Sequence, residues 1–246
     1  MFRFFVDESQ VSGKELTISG GDVNHIKNVL RMKPLDEVEA VLPDGRIATC
    51  SLRELTDDEI IADVLFVEES GVELGNKITL YMGLPKFDKM ELVIQKAVEL
   101  GAYRIVPVSM KRTVVKFDPK KAKAKVARWQ AIAEAASKQS KRAIIPEVGQ
   151  VVSFKDALRE ARSLDHILVP YECAEDITKT REIIAGIGDG ESVAVFIGPE
   201  GGIDEKEIEA AADAGAKMIT LGRRILRTET AAISTLAILM FMFETP

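Results

Sequence analysis

The 246-residue chain is poor in the residues on which many enzymes build their chemistry: it has two cysteines, two histidines and one tryptophan. Cys50 and Cys173 are far apart with no metal-like spacing, and His25 and His166 cannot complete a zinc site with them, so no metal is expected. Neither histidine stands in a nucleophile or metal setting, which disfavours serine and zinc hydrolases. No GxxxxGK[ST] run occurs, so a Walker-type phosphate cradle is absent. Gly186, Gly188 and Gly190 mimic part of a dinucleotide fingerprint, but they precede a strand pattern where that fingerprint must follow one. Long apolar runs are also missing. The most apolar stretch, Ala231 to Phe243, is 13 residues, short of the roughly 18 that read as a membrane span, and points to a helix buried in the fold or at a subunit contact. MFRFFVDESQ has no signal-peptide core. The expected setting is reducing cytosol, with no membrane partner.

What is present describes an ordinary globular protein, 46% hydrophobic and 29% charged, long enough for two domains. The net charge of -6 argues against a polyanionic partner until its distribution is considered. Between Lys111 and Arg128 eight basic residues face the single acid Asp118. Such a patch is either a nucleic-acid footprint or a solvated lysine-rich helix face.

Two rhythms divide the chain. Strand patterns at Phe2 to Val6, Glu15 to Ile18, Glu37 to Leu42, Arg46 to Leu52 and Glu59 to Val67 are separated by turns such as Pro43-Asp44-Gly45, which predicts a small β-barrel. A helical patch, Gly21 to Arg31, interrupts it, with Asp22 as its expected N-cap. The composition shift around Glu68 to Asn76 sets the boundary near residue 72, giving domains 1–72 and 73–246. Beyond it strands and helices alternate: Ile78 to Met82, helix Lys89 to Leu100 ending at Gly101, Arg104 to Val108, and a helix opened by Asp118-Pro119 and running to about Lys141. Strands at His166 to Val169, Ser192 to Ile197 and Met218 to Leu221 then alternate with helices at Ala174 to Ala185, Asp204 to Ala214 and Thr228 to Phe243. Nearly all-apolar strands such as VAVFI predict an α/β domain with a parallel sheet covered on both faces.

In such sheets ligands bind at the carboxyl ends of strands. Three loops qualify: Val169-Pro170-Tyr171-Glu172, Ile197-Gly198-Pro199-Glu200-Gly201-Gly202, and Leu221 to Arg227. The glycines of the second permit close approach of a ligand to the backbone, although GPEGG is also simply a tight turn, with Asp204 and Glu207 forming a capping box after it. The third, LGRRILRTET, places three arginines before a helix N-terminus, where an anion or an electron-rich base edge fits. Thr228 is an expected cap of that helix.

IGPEGGIDEKEI followed by LGRRILRTETAAI resembles the signature of the RsmE family, 16S ribosomal RNA (uracil-N3)-methyltransferases. The resemblance continues in MFRFFV, HIKNVLRM, GLPKFDKMELVIQKAVELGAYRIVPV and RWQAIAEAASKQSKR, so it covers essentially the whole chain. It implies an N-terminal PUA-like RNA-binding barrel, a C-terminal SPOUT domain with a deep trefoil knot, and a homodimer with the last helix in the contact. It also implies S-adenosylmethionine as cofactor, held by Val169, Pro170, Tyr171, Ile197, Gly198, Pro199, Gly201, Gly202, Leu221, Gly222, Ile225, Leu226 and Thr228. The partner it implies is small-subunit ribosomal RNA within an assembled particle. The family commonly has two histidines at Asn24-His25, Gly-Asp at Leu35-Asp36 and proline at Arg223.

Uridine N3 carries a proton and is a poor nucleophile until that proton leaves. Arg227 is the candidate for stabilising charge on the uracil oxygens, and Glu229 the candidate base, unless it pairs with Arg227 or Arg224 and only holds the loop. Arg3, Arg31, Lys86, Arg112, Lys138 and Arg142 are the candidate phosphate contacts. Two other readings stay open: a SPOUT enzyme acting on another RNA atom or on tRNA, and a noncatalytic RNA-binding assembly factor.

Overall fold

The computed structural model describes residues 1–115, 117–174 and 176–244. It divides into two compact units, Met1–Glu73 with Lys138–Ile144, and Leu74–Ser137 with Ile145–Pro246.

The first unit is one six-stranded sheet built from β1 (Arg3–Phe5), β2 (Val11–Ser12), β3 (Glu15–Ser19), β4 (Glu37–Val41), β5 (Ile47–Leu55) and β6 (Glu59–Glu68), in the order β1-β4-β5-β6-β3-β2. Alternating apolar side chains, among them Leu16, Ile18, Val38, Leu52 and Ile60, turn inward and are fully or almost fully buried. A short helix α1 (Gly21–Asn24) runs into a π-helical turn, His25–Val29, and Ile26 packs into the same core. Gly20, not Asp22, occupies the N-cap; Asp22 lies in the first turn and its carboxylate pairs with Lys138 at 2.9 Å. Leu35, where the family commonly has glycine, holds φ +76°.

The second unit is a parallel sheet of seven strands: β7 (Lys77–Gly83), β8 (Arg104–Ser109), β9 (Glu147–Val148), β10 (Val152–Ser153), β11 (His166–Pro170), β12 (Ser192–Ile197) and β13 (Lys217–Ile219). Its order is β10-β8-β7-β12-β11-β13, with β9 also paired to β8. The helices are α2 (Lys89–Glu99), α3 (Pro119–Gln139), α4 (Phe154–Ala161), α5 (Ile177–Ala185), α6 (Glu205–Asp213) and α7 (Thr228–Phe243). Successive side chains of the central strands point to opposite faces, so each strand feeds two cores. Ile78, Leu80 and Met82 meet α2, α3 and α7, while Tyr81, Val106 and Phe196 meet α4 and α6.

Several local signals act as expected. Gly101 adopts φ +84° just past α2, the Asp118 carboxylate accepts the Lys121 N–H at 2.9 Å, and Asp204 with Glu207 forms a capping box on α6. Helix α4 and the short strands β2, β9 and β10 had no counterpart in the sequence pattern. Ser153 nevertheless caps α4 through the Asp156 N–H, a signal that was present in the sequence. No helix among the described residues is long and apolar enough to cross a membrane, and no group of metal-ligating side chains occurs among them.

Candidate active site

The carboxyl ends of β11, β12 and β13 open into a cavity of about 440 Å³ within the second unit, the size that takes a small organic cofactor. Pro170, Tyr171 and Glu172 form one wall, Ile197, Gly198, Pro199, Glu200 and Gly202 another, and Thr220 to Gly222 with Arg224 to Thr228 a third. Of the expected cofactor residues, Pro170, Tyr171, Ile197, Gly198, Pro199, Gly202, Leu221, Gly222, Ile225, Leu226 and Thr228 all line it. Val169 and Gly201 do not. Val169 is fully buried in the sheet, packed with Tyr81 and Phe196, and Gly201 backs onto Arg112, whose Cβ would lie 3.1 Å from a Cβ placed there.

Glycine is required where the loops meet. A Cβ on Gly198 would lie 2.9 Å from the Ile203 side chain, and one on Gly83, at the end of β7, would lie 2.7 Å from the backbone nitrogen of Pro199. Only a bare backbone allows the GPEGG turn to fold this tightly against β7. Thr228 is the first residue of α7 rather than its cap; Arg227 holds the N-cap position with no side-chain capping bond. The Thr228 hydroxyl instead donates to the Gly198 carbonyl at 2.5 Å, fastening α7 to the end of β12.

Lys89, Ile203, Thr220 and Ala231 also line the cavity from outside the three loops, and Glu172, Glu200 and Arg224 line it from within them. Lys89 opens α2 and its ammonium lies 3.2 Å from Glu200 and 3.2 Å from Glu229. Hydrogen bonding to Glu229 and then Glu200 holds the Lys89 ammonium above its ordinary range. For Glu200 burial opposes ionisation, but its own and the Lys86 backbone N–H groups together with Lys89 outweigh it, keeping the carboxyl below its ordinary value. Only the tertiary fold joins these residues, which are far apart in sequence, so no local pattern could have found Lys89.

This arrangement corrects the reading of Glu229. Its carboxylate pairs with Lys89, not with Arg224 or Arg227, and does not line the cavity. Arg224 and Arg227 do line it, exposed and with no ion pair from their guanidinium groups among the described residues. The cavity wall thus carries the cations of Arg224 and Arg227, while its Glu200 carboxylate is taken by Lys89.

The expected phosphate contacts separate into two groups. Arg142 is 4% exposed and locked to Glu73 at 2.5 Å, Arg3 is held by Glu39 at 2.9 Å and by the Lys141 carbonyl, and Lys138 pairs with Asp22. These three hold the first unit together, since buried cations require their partners, and they do not present free charge to a phosphate. Arg31, Lys86 and Arg112 are exposed. The basic stretch from Lys111 is partly neutralised as well: Lys111 and Arg112 face Asp204, Lys121 faces Asp118, and Arg128 faces Glu91. Lys120 and Lys123 remain open to solvent, while Lys116 lies outside the described residues.

The chain is similar to known proteins over its full length. A family model described as an RNA methyltransferase domain matches residues 72–240, and one described as an RNA methyltransferase PUA domain matches residues 18–65. The ribosomal RNA small subunit methyltransferase E of Bacillus subtilis is 36% identical over 250 residues, covering 99% of this chain and 98% of its own. The protein of that name from Mesomycoplasma hyopneumoniae is 33% identical, covering 95% and 96%. The crystal structure of the Neisseria gonorrhoeae enzyme bound to S-adenosyl methionine superposes with a TM-score of 0.86 at 31% identity, covering 99% of this chain and 98% of that one.

A parallel sheet whose strand-end loops enclose a glycine-walled cavity, joined to a PUA domain, makes the chain an RNA methyltransferase of the SPOUT class. Within that class it belongs to the ribosomal RNA small subunit methyltransferase E family.

Proposed function

We propose that this chain transfers a methyl group from S-adenosylmethionine to N3 of a specific uridine in the 16S ribosomal RNA of the small subunit, acting on the assembled particle. One observation carries the reading: the cavity joins a wall of bare glycine backbone and apolar side chains to a mouth lined by the unpaired guanidiniums of Arg224 and Arg227. The names of its relatives support it, as does the bound cofactor of the Neisseria structure.

The residues fit the cofactor. Gly198 and Gly202 allow its close approach to the main chain, Ile197, Leu221, Ile225 and Leu226 offer apolar contact, and Pro170, Tyr171, Pro199, Gly222 and Thr228 complete the walls. Bound there, S-adenosylmethionine supplies an electrophilic sulfonium methyl group. The protein's own work is to orient the uracil and ease loss of the N3 proton to water. Arg227 does this by stabilising the negative charge that develops on the uracil carbonyl oxygens, and Arg224 adds to the same field. Glu229 is a positioning residue: through Lys89 it fixes the start of α7 to α2 and the GPEGG loop.

Residues 1–72 form the RNA-binding domain, which Glu73 and Lys138–Ile144 join, and the rest of 73–246 the catalytic one, with Arg31, Lys86 and Arg112 as phosphate contacts. The threaded trefoil is the fold that membership of the SPOUT class implies. A homodimer is supported by Ile238, Phe241 and Met242, which leave one face of α7 apolar and exposed. The protein works in the cytoplasm, where its RNA is.

Mass mapping of 16S ribosomal RNA from a deletion strain, with calorimetry of S-adenosylmethionine binding, tests the proposal. The expected result is loss of one methyl group at a uridine N3, restored by the wild-type chain. Loss from another atom or from tRNA overturns the target, and failure to bind the cofactor leaves only an assembly factor.

A further inference from the structure

Phe87 lies in the turn between β7 and α2 and combines two local costs. Its φ is +56°, and of the four described non-glycine residues in the left-handed region (Arg31, Leu35, Phe87 and Lys141) it is the one in the second unit. Its side chain is also 89% exposed, with no ring or cation contact among the described residues. A Cβ disfavours that backbone conformation, and an exposed ring gains nothing from burial. Backbone strain of this kind persists where the surroundings impose it, and it clusters at functional sites.

The surroundings that impose it are those of the cavity. The backbone N–H of Lys86, the preceding residue, donates to the Glu200 carboxylate at 3.0 Å. Two residues on, Lys89 lines the cavity and pairs with Glu200 and Glu229. The backbone of the turn is thus fastened on both sides of Phe87 to residues of the cavity, and Phe87 and its neighbour Lys86 are both exposed.

We infer that Phe87 is a stacking platform for the substrate base. This rests on the proposed uridine methylation. N3 lies on the pairing edge of uracil, so the base must be unpaired, with both faces free, before that edge can reach the methyl donor. An exposed aromatic ring on a turn tied to the cavity wall receives such a face, and the lysine beside it receives the adjoining phosphate. A strained, solvent-exposed phenylalanine then has its partner in the RNA.

The test compares Phe87→Ala, Phe87→Leu, Phe87→Gly and Phe87→Trp with wild type. It measures binding to transcribed 16S ribosomal RNA and to isolated small subunits, calorimetry with S-adenosylmethionine, light scattering, and photocrosslinking from 5-iodouridine-substituted RNA. Stacking predicts RNA affinity about 5- to 100-fold weaker for Ala, Leu and Gly, retained by Trp, with cofactor affinity and molecular mass unchanged and a crosslink at Phe87. Gly is expected to keep or raise Tm as it relieves the strain, so that affinity and stability move in opposite directions. If wild type binds RNA and all four variants bind it equally, stacking is overturned. If Phe87→Ala changes the molecular mass, the ring is a subunit contact and stacking is again overturned. If wild type binds neither RNA nor cofactor, the parent reading fails first.

Discussion

Lys89 and Glu229 form an ion pair at 3.2 Å, and the cavity is lined by the lysine and not by the carboxylate. A carboxylate held this way holds structure together and is poorly placed to take a proton from substrate. Glu229→Gln should therefore keep the wild-type pH profile of kcat while loosening the loop, seen as a raised KM for S-adenosylmethionine. Lys89→Met should do at least as much, since it also removes the pair with Glu200, and the double variant should be no worse than Lys89→Met alone. A pH limb that disappears in Glu229→Gln would restore its role as base.

Arg227 has the opposite profile, a cation on the cavity wall with no ion pair among the described residues. Arg227→Ala should lower kcat by about 10²- to 10³-fold with little change in cofactor affinity or Tm. Single-turnover methylation beside calorimetry separates these quantities.

Gly83→Ala places a Cβ 2.7 Å from the Pro199 nitrogen, and backbone cannot yield as a flexible side chain does. The variant should lose about 1–3 kcal/mol of stability and bind S-adenosylmethionine more weakly. Thermal melts with and without the cofactor report both.

Thr228→Val removes the hydroxyl that satisfies the Gly198 carbonyl. Unfolding should show a loss of about 1–3 kcal/mol, with weaker cofactor binding because both residues line the cavity.

Salt dependence distinguishes the two groups of basic residues. Lys86→Ala and Arg112→Ala should each reduce the slope of log K for RNA against log salt by about 1. Arg142→Ala should leave the slope unchanged and destabilise the first unit by about 3–5 kcal/mol, since it removes the charge partner of Glu73 and leaves that carboxylate only the Ala143 and Ile144 N–H groups. Acid adds a further contribution. Glu200 is held below its ordinary 4.5, so the stability it contributes is present above that pH and lost as pH falls through its lower folded value. Glu200→Gln should flatten that part of the acid limb.

The fold and the cavity walls were legible in the chain because their causes are local. Period-two alternation placed β3 to β6, apolar runs placed β7 and β12, and the glycines and arginines of GPEGG and LGRRILRTET stood at the strand ends where ligands bind. Helix α4 was missed although Ser153 and Asp156 announced it, its eight residues being too short for the periodicity to stand out. The sequence by itself determined the element types, the three loops and the absence of metal-site spacing, since spacing and residue chemistry act over a few positions. Only the tertiary structure decided which charges are free. A lysine or arginine looks the same in sequence whether a distant carboxylate neutralises it or not. Folding alone brought Glu73 to Arg142, Asp22 to Lys138 and Glu229 to Lys89, leaving Arg224 and Arg227 open at the cavity.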